Sequence, residues 1–261
     1  MPASERIWPN SMSHHEVDSK RRRVVVTGVG VVSPNGIGAD AYQESLRRGS
    51  SGIDTISCFD AGALSCRIAG EVRNVEAESF LSAKDIRRTG RAVHLAIAAT
   101  QEAMRCARVC PAGMNLAEKQ SWGVILGSGG GTADFVEEQY RLFYRDQLRK
   151  ISAYNVSSST IGSLSSELSI HFGFHGPSHV ISTGCTSSTD ALGYAFNQIR
   201  FGLADHFVAG GADATITPAI MQGFCVMQAV STSHNDEPAR ASRPFDRSRD
   251  GFVLGEGAWI L

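Results

Sequence analysis

The stretch Val180-Ile-Ser-Thr-Gly-Cys-Thr-Ser-Ser-Thr-Asp190 decides how this chain is interpreted. Its apolar start predicts a short strand, Gly184 and Cys185 predict a corner, and the hydroxyl-rich end predicts the start of a helix. Apolar residues then recur at helical spacing until Gly202, which predicts the end of that helix. This order places Cys185 beside the first turn of a helix.

Cys185 is the candidate nucleophile. At a helix start, unpaired backbone N–H groups and the positive end of the helix dipole favour a thiolate over a thiol. Gly184 leaves one flank of the sulfur uncrowded, and the arrangement resembles the strand-to-helix nucleophile elbow of acyl-transfer enzymes, with sulfur in place of oxygen. None of the eight histidines lies in a local motif that nominates it as the proton partner. The remaining cysteines lack this setting and are interpreted as structural: Cys58, Cys66, Cys106, Cys110 and Cys225.

The composition narrows the class of protein. With 261 residues, 42% hydrophobic and 20% charged, the chain can bury a full core. A net charge of -1 gives no global case for binding nucleic acid or a membrane surface, and no apolar run reaches about 18 residues. Six cysteines without a CxxC pair or zinc-like spacing argue against a disulfide framework and a metal site. We therefore expect a cytoplasmic protein without a metal or cofactor.

The two ends of the chain differ from its middle. Residues 1–22 are polar and lead into the basic run Lys20-Arg-Arg-Arg23, which we interpret as a solvated arm, with nuclear targeting or nucleic-acid contact as the alternative. Residues 23–261 form one predicted domain. Because the chain stops at Leu261 inside an apolar run, we expect this domain to be truncated at its C-terminal end.

Strands and helices alternate along the domain, which predicts an α/β fold with a largely buried, mixed or parallel sheet. Arg23–Gly30 is rich in β-branched residues, and its uninterrupted Val24-Val25-Val26 predicts a first strand buried on both faces. Later strands are expected at 122–126, 206–210 and 257–261, and helices at 40–48, 83–109, 133–149, 155–172 and 217–229.

Two glycine-rich stretches invite a ligand-binding interpretation. Gly28–Ser33 superficially suggests a dinucleotide loop, but the third glycine is missing and a Pro-Asn-Gly turn stands where the helix should begin. Gly127–Thr132 follows a predicted strand and could cradle phosphate, yet it lacks the lysine of a P-loop. Close packing of the backbone beside a pocket is the favoured interpretation of the second stretch.

Several short motifs follow one another along the chain. They begin at Arg23–Gly30 with Ser33-Pro34, Gly127–Gly131 and Gly176–Ser178, and continue with Cys185–Ser187, Ala209–Ala212, Ala241–Asp246, Arg249–Val253 and Gly255–Ala258. Taken in order, these motifs resemble the beta-ketoacyl-acyl carrier protein synthases, the elongating condensing enzymes of fatty acid and polyketide synthesis. The resemblance implies a thiolase-type fold, in which two similar α/β halves pack as an α-β-α-β-α sandwich and dimerise.

The same resemblance implies roles for particular residues. Cys185 would take an acyl group from acyl carrier protein, and malonyl carrier protein would then lose carbon dioxide and attack the thioester. The backbone N–H of Cys185 would be one oxyanion donor. Phe252 matches a residue beside the malonyl end of the pocket, and Gly130 matches a position that lines the acyl tunnel. The basic residues at the start of the predicted helix 83–109 match the family's carrier-protein docking patch: Lys84, Arg87 and Arg88.

Departures from the family pattern leave rival hypotheses open. The family's two catalytic histidines, its lysine and its gating loop belong to a C-terminal half, so we expect residues 1–261 alone to be inactive. Gly184 also replaces the alanine usual before the cysteine. The alternatives are a non-catalytic partner, which binds carrier protein or forms a heterodimer with a sister synthase, and a cysteine acyltransferase that does not decarboxylate. Retention of the cysteine argues against the chain-length-factor relatives.

Overall fold

The computed structural model describes residues 21–261, so most of the predicted arm, residues 1–20, lies outside the described residues. A six-stranded mixed sheet forms the centre of the described part, with strand order β2-β1-β8-β7-β5-β6. Strands β5, β6 and β7 run parallel, whereas β8 pairs antiparallel with both β7 and β1. The strands of this sheet are β1 Gly30–Ser33, β2 Gly36–Ile37, β5 Trp122–Gly127, β6 Ser178–Ile181, β7 His206–Asp213 and β8 Gly257–Ile260, and a separate pair contains β3 Asp54–Thr55 and β4 Ile68–Ala69.

Helices cover both faces of the sheet. They are α1 Ala39–Arg48, α2 Ala83–Arg88, α3 Arg91–Cys106, α4 Leu116–Gln120, α5 Ala133–Tyr144, α6 Asn155–Ser158, α7 Ser163–Phe172, α8 Ser187–Arg200 and α9 Pro218–Val226. Along β5, Val124 and Leu126 belong to the core shared with α3 and α7, and Ile125 belongs to the core beneath α8. A strand buried in this way on both faces is typical of the centre of an α/β sheet.

The first predicted strand is wrong in position and in burial. Val25 and Val26 are 65% and 63% exposed, and β1 begins only at Gly30. Since Gly30 pairs with Ile260, the residues before it lie beyond the paired part of β8. The segment instead crosses α3 closely: a Cβ on Gly28 would lie 2.1 Å from the carbonyl oxygen of Ala103. These glycines serve helix packing, and they do not open a helix as a dinucleotide loop requires.

The long helix predicted over 83–109 is two helices, α2 and α3, separated at Thr89 and Gly90. Gly90 is extended and lies against Thr132, whose Cβ would be 2.8 Å from a Cβ added to the glycine. Asp134 then accepts the backbone N–H of Arg91 at 2.8 Å and so caps α3 from another element. Because the apolar periodicity continues across Thr89 and Gly90, the sequence pattern predicted one continuous helix.

Two further predicted helices are also shorter than expected. The helix predicted over 133–149 ends at Tyr144, and a 3-10 turn follows at Leu148–Lys150. The one predicted over 155–172 divides into α6 and α7, because Gly162 interrupts it and Ser158 is tied to neighbouring segments. Ser158 donates from Oγ to the carbonyl of Arg88 and accepts from Oγ of Thr132 at its own carbonyl. Such side-chain hydrogen bonds compete with the regular helix ladder.

An ion pair with a buried carboxylate joins α3 to the segment before β8. Arg91 donates from Nε and Nη2 to the two carboxylate oxygens of Glu256, each at 2.8 Å, and Glu256 also accepts the N–H of Val72. Glu256 is 6% exposed, so its charge depends on these partners. Among residues 21–261, no helix is long and apolar enough to cross a membrane.

His94, on α3, generates a pH prediction. Burial, together with the nearby charge of Arg91, lowers the pKa of His94 from 6.5 to about 4, and its ring lies 2.9 Å from Oγ1 of Thr89. Between pH 6.5 and 4, His94 is therefore mostly protonated in the unfolded chain and mostly neutral in the folded chain. We expect this group to lower the free energy of unfolding by about 3 kcal/mol as the pH falls from 6.5 to 4.

Urea unfolding of the wild type and of His94→Gln across this pH range measures the effect. Groups that titrate in both proteins cancel in the difference, so the difference isolates His94. Parallel stability curves for the two proteins would contradict the assignment.

Candidate active site

The corner that carries Cys185 has the predicted form. Strand β6 ends at Ile181, a 3-10 turn spans Gly184–Thr186, and α8 starts at Ser187. Ser187 closes the corner, because its Oγ accepts the N–H of Thr183 at 2.9 Å and donates to the carbonyl of Gly184 at 2.6 Å. Asp190, one turn into α8, accepts the hydroxyls of Thr183 and Thr186. The turn before Cys185 is therefore fixed by its own hydroxyl side chains.

Gly184 has a conformational reason to be glycine. Its φ is +68°, in the left-handed region, although a Cβ added there would meet nothing within 4 Å. Non-glycine residues pay about 1–2 kcal/mol for this conformation. Glycine at position 184 therefore suits the backbone conformation of the turn.

Two strands approach the first turn of α8 at backbone distance. A Cβ on Gly127, at the end of β5, would lie 2.2 Å from the backbone of Ser187 and Ser188. A Cβ on Gly211, in β7, would lie 2.5 Å from Cβ of Ser188. Both positions therefore exclude a side chain, and the helix start that follows Cys185 sits directly on the sheet.

The glycine-rich loop 127–132 is held by a carboxylate. Oδ1 of Asp213 accepts the hydroxyl of Ser128 at 2.7 Å and the N–H of Gly130 at 2.8 Å, and Oδ2 accepts the N–H of Gly129 at 3.0 Å. These N–H groups are the ones that a phosphate would need, and a carboxylate beside them would repel a phosphate. The phosphate interpretation of this loop is therefore wrong.

Cys185 is exposed and opens into a cleft of about 420 Å³. The cleft lies where β5 and β7 end, and β8 begins on its other side. No histidine is among its lining residues within the described part of the chain, and its ionisable residues besides Cys185 are Asp213 and Glu256. Its walls are formed by Pro34, Gly127, Gly184, Ser187, Ser188, Gly211, Ala212, Asp213, Gly255, Glu256, Gly257 and Trp259.

Phe252 and Gly130 are not among the lining residues of the Cys185 cleft. Phe252 packs edge-on against Phe224, with ring centroids 5.1 Å apart, and lines a separate cavity of about 730 Å³ with Arg243 and Phe245. A Cβ added to Gly130 would lie only 2.0 Å from Cγ2 of Thr215. The space beside Gly130 is thus already occupied by Thr215.

The three basic residues of the expected docking patch have different surroundings. Lys84 and Arg87 are exposed on α2 and make no ion pair within residues 21–261. Arg88 is half-buried and lies between two carboxylates, those of Asp85 and Glu167. Its charge is already neutralised inside the fold, so Lys84 and Arg87 form the accessible part of the patch.

Residues 21–261 match a family model described as the beta-ketoacyl synthase, N-terminal domain. The chain belongs to the beta-ketoacyl synthase family. The 3-oxoacyl-[acyl-carrier-protein] synthase 2 of Vibrio cholerae is 40% identical over 243 residues, which cover 92% of this chain and 57% of that protein. The tetracenomycin polyketide synthase ketoacyl synthase alpha subunit of Streptomyces glaucescens is 37% identical over 246 residues, with the same coverage. The chain thus spans just over half the length of these relatives.

Solved structures agree with the family assignment. The ishigamide ketosynthase/chain length factor superposes with a TM-score of 0.82 at 27% identity, over 92% of this chain and 58% of that one. A second structure, AntDE:AntF, is described as a type II PKS acyl-carrier protein in complex with its ketosynthase, and it has a TM-score of 0.77 at 28% identity over the same shares of the two chains. The predicted α/β fold of thiolase-like type and the resemblance to ketosynthases are confirmed.

The other cysteines of this beta-ketoacyl synthase chain differ from Cys185 in setting. Burial raises the pKa of Cys66, and burial together with Glu71 raises the pKa of Cys58 to about 12. Both therefore remain thiols near neutral pH. Within residues 21–261, Cys185 is the single cysteine that lines the cleft.

Sequence reasoning missed Asp213 and Ser187. Asp213 is the last residue of β7 and directly follows the Ala209–Ala212 motif. A polar residue at the carboxyl end of a buried strand could have indicated a site residue from the sequence. Ser187 lies within the hydroxyl-rich helix start, but its 3% exposure and its two hydrogen bonds across the corner could not be inferred from composition.

Alanine substitutions at two glycines test the strain at the corner. Gly184 and Gly193 both have open space where a Cβ would go, but Gly193 lies inside α8 and Gly184 has φ +68°. We expect Gly184→Ala to lower the free energy of unfolding by about 1 kcal/mol, and Gly193→Ala to raise it by about 1 kcal/mol. Chemical denaturation measures both, and equal signs would contradict the assigned conformation of Gly184.

Proposed function

We propose that the complete protein is a 3-oxoacyl-acyl carrier protein synthase of fatty acid or polyketide biosynthesis, with Cys185 as its acyl-carrying nucleophile. The observation that carries the proposal is the placement of Cys185: exposed, in a cleft, on a fixed corner at the start of α8. Membership of the beta-ketoacyl synthase family supports it.

In the first proposed step, the sulfur of Cys185 attacks the thioester carbonyl of an acyl carrier protein. A carbon–sulfur bond forms to Cys185, the bond to the carrier's sulfur breaks, and the carrier leaves as a thiol after taking up a proton. The negative charge on the carbonyl oxygen develops next to the corner, where the backbone N–H of Cys185 is the proposed donor. The fixed turn keeps the sulfur and this N–H in constant relation.

In the second proposed step, malonyl carrier protein loses carbon dioxide, and the electron pair of the broken carbon–carbon bond remains as a carbanion. This carbanion attacks the thioester on Cys185, forms the new carbon–carbon bond and releases the cysteine sulfur. Two carbons are thereby added, and a 3-oxoacyl carrier protein results. Since no histidine of the described residues lines the cleft, we propose that residues 1–261 do not catalyse this step alone.

Cys185→Ala in the complete protein tests the nucleophile. We expect acyl transfer and condensation to fall by at least about 10³-fold, because the group that forms the covalent intermediate is removed. Mass spectrometry of the protein after incubation with acyl carrier protein detects the acylated cysteine, and carbon dioxide release from malonyl carrier protein measures the second step.

Cys106→Ala is the matched control, since Cys106 is also an exposed cysteine but lies at the end of α3. Elongation that persists in Cys185→Ala would overturn the proposal. Acylation without carbon dioxide release in the wild type would favour the acyltransferase, and neither reaction would favour the non-catalytic partner.

Carrier-protein docking on α2 is the second part of the proposal. Lys84 and Arg87 present accessible positive charge that suits an acidic protein. A similar solved structure is described as an acyl-carrier protein in complex with its ketosynthase, which supports a partner of this kind. Arg88 is proposed to hold α2 against α7 through its ion pair with Glu167 and to contribute less to the docking itself.

Charge reversal tests the docking surface. We expect Lys84→Glu combined with Arg87→Glu to raise KM for acyl carrier protein by about tenfold with kcat nearly unchanged, because encounter is weakened and the Cys185 corner is untouched. The effect should shrink at high salt. Arg47→Glu on α1 is the control, and an equal rise in KM for that variant would refute a specific patch.

Dimerisation and location complete the proposal. Strand β6 forms one edge of the sheet and pairs only with β5 among the described strands, which supports a homodimer, or a heterodimer with a related synthase, built on this edge. Next to it, α8 presents Tyr194 and Phe196, which are 40% and 42% exposed. The cytoplasmic location rests on the six cysteines, all of which are free.

A further inference from the structure

The carboxylate of Asp213 has an unusual set of partners. It accepts three hydrogen bonds, all from neutral donors of the glycine-rich loop 127–132: the Ser128 hydroxyl and the N–H groups of Gly129 and Gly130. Within residues 21–261 it forms no ion pair with a lysine or arginine. A carboxylate bound by neutral donors still makes stronger hydrogen bonds than a neutral acceptor would.

Ser128, which is bound to Asp213, also forms a hydrogen bond within the loop. Oγ of Ser128 donates to Asp213 and accepts the N–H of Gly131 at 2.8 Å. Backbone groups from Gly129 to Gly131 are therefore tied, directly or through one hydroxyl, to a single side chain on β7. A run of three glycines has high conformational freedom in the unfolded chain, so its order here depends on these bonds.

The tied loop borders the nucleophile. A Cβ on Gly129 would lie 3.5 Å from the carbonyl oxygen of Gly184, the residue before Cys185. Asp213 and Cys185 line the same cleft. We propose that Asp213 is a positioning residue, which holds the glycine-rich loop against the Cys185 corner and thereby sets access to the sulfur.

This inference rests on the proposed function only in taking Cys185 as the nucleophile. It assigns Asp213 no contact with substrate. The hydrogen bonds that Asp213 accepts from the loop are called the clamp. Loss of the clamp should make the loop locally mobile and expose one flank of the Cys185 sulfur. Loss of a purely structural contact should instead lower the stability of the fold without changing the reactivity of Cys185.

Two variants distinguish the effect of the loop's position from the effect of the Asp213 charge. Asp213→Asn keeps the shape but replaces one acceptor oxygen with an amide donor, which faces the donors of the loop. Ser128→Ala removes one hydrogen bond to Asp213 and the bond from Gly131, while the carboxylate and its charge remain. Effects shared by both variants report the position of the loop. Asp236→Asn, whose side chain is 99% exposed, is the control for the loss of a surface charge.

The purified complete protein is followed by hydrogen exchange and by mass-resolved alkylation with iodoacetamide and N-ethylmaleimide. In both loop variants we expect exchange of the backbone amides of Gly129 to Gly131 to rise about tenfold, with the α3 amides unchanged. Alkylation of Cys185 should rise about threefold, more for the bulkier maleimide, and that of Cys106 should stay constant. Asp236→Asn should show neither change.

Faster loop exchange with unchanged Cys185 alkylation would overturn the positioning role, and unchanged loop exchange would overturn the clamp itself. If Asp213→Asn does not fold, Ser128→Ala alone decides between these outcomes. None of these measurements depends on condensation, so a failure of the Cys185→Ala activity test would reject the proposed function and leave the result on Asp213 standing.

Discussion

The site depends on one close approach, that of the first turn of α8 to the strands β5 and β7. Gly127 and Gly211 permit it, since a Cβ at either position would fall within about 2.5 Å of Ser187 or Ser188. Because interiors are densely packed, a side chain here would push the helix start off the sheet and carry Cys185 with it. The position of Cys185 thus depends on the absence of a side chain at Gly127 and Gly211, and the corner is held by the hydrogen bonds of Ser187.

The parallel part of the sheet brings the remaining parts of the site together. Strands β5, β6 and β7 are neighbours with the same direction, so their carboxyl ends meet at one edge. The glycine-rich loop leaves β5 there, the Cys185 corner leaves β6, and Asp213 ends β7. Three segments that are distant in sequence therefore share a cleft, and β8, antiparallel to β7, adds Gly257 and Trp259 to its wall.

Local patterns predicted what local interactions determine. The strand, corner and helix around Cys185 follow from apolar runs, glycine and hydroxyl residues, and the structure has them in that order. Pairing between distant strands could not be predicted in this way, so Val25 and Val26 were expected to be buried although none of the described strands pairs with them. The break at Gly90 depends on contacts with Thr132 and Asp134, more than 40 residues later. The role of Asp213 likewise depends on the meeting of β5 and β7.

The chemistry of the cleft follows from how its polar groups are used. The N–H groups of Gly129 and Gly130 are taken up by Asp213, so they are not available to an anionic ligand. The carboxylate of Asp213, which forms no ion pair within the described residues, also makes the cleft unfavourable for a bound phosphate. If an acidic carrier protein is recognised, its charge must be met elsewhere, and Lys84 and Arg87 on α2 are the accessible cations for that purpose. The charge that would attract an acidic protein and the groups that surround Cys185 are therefore carried by different elements, α2 and the carboxyl ends of β5 to β7.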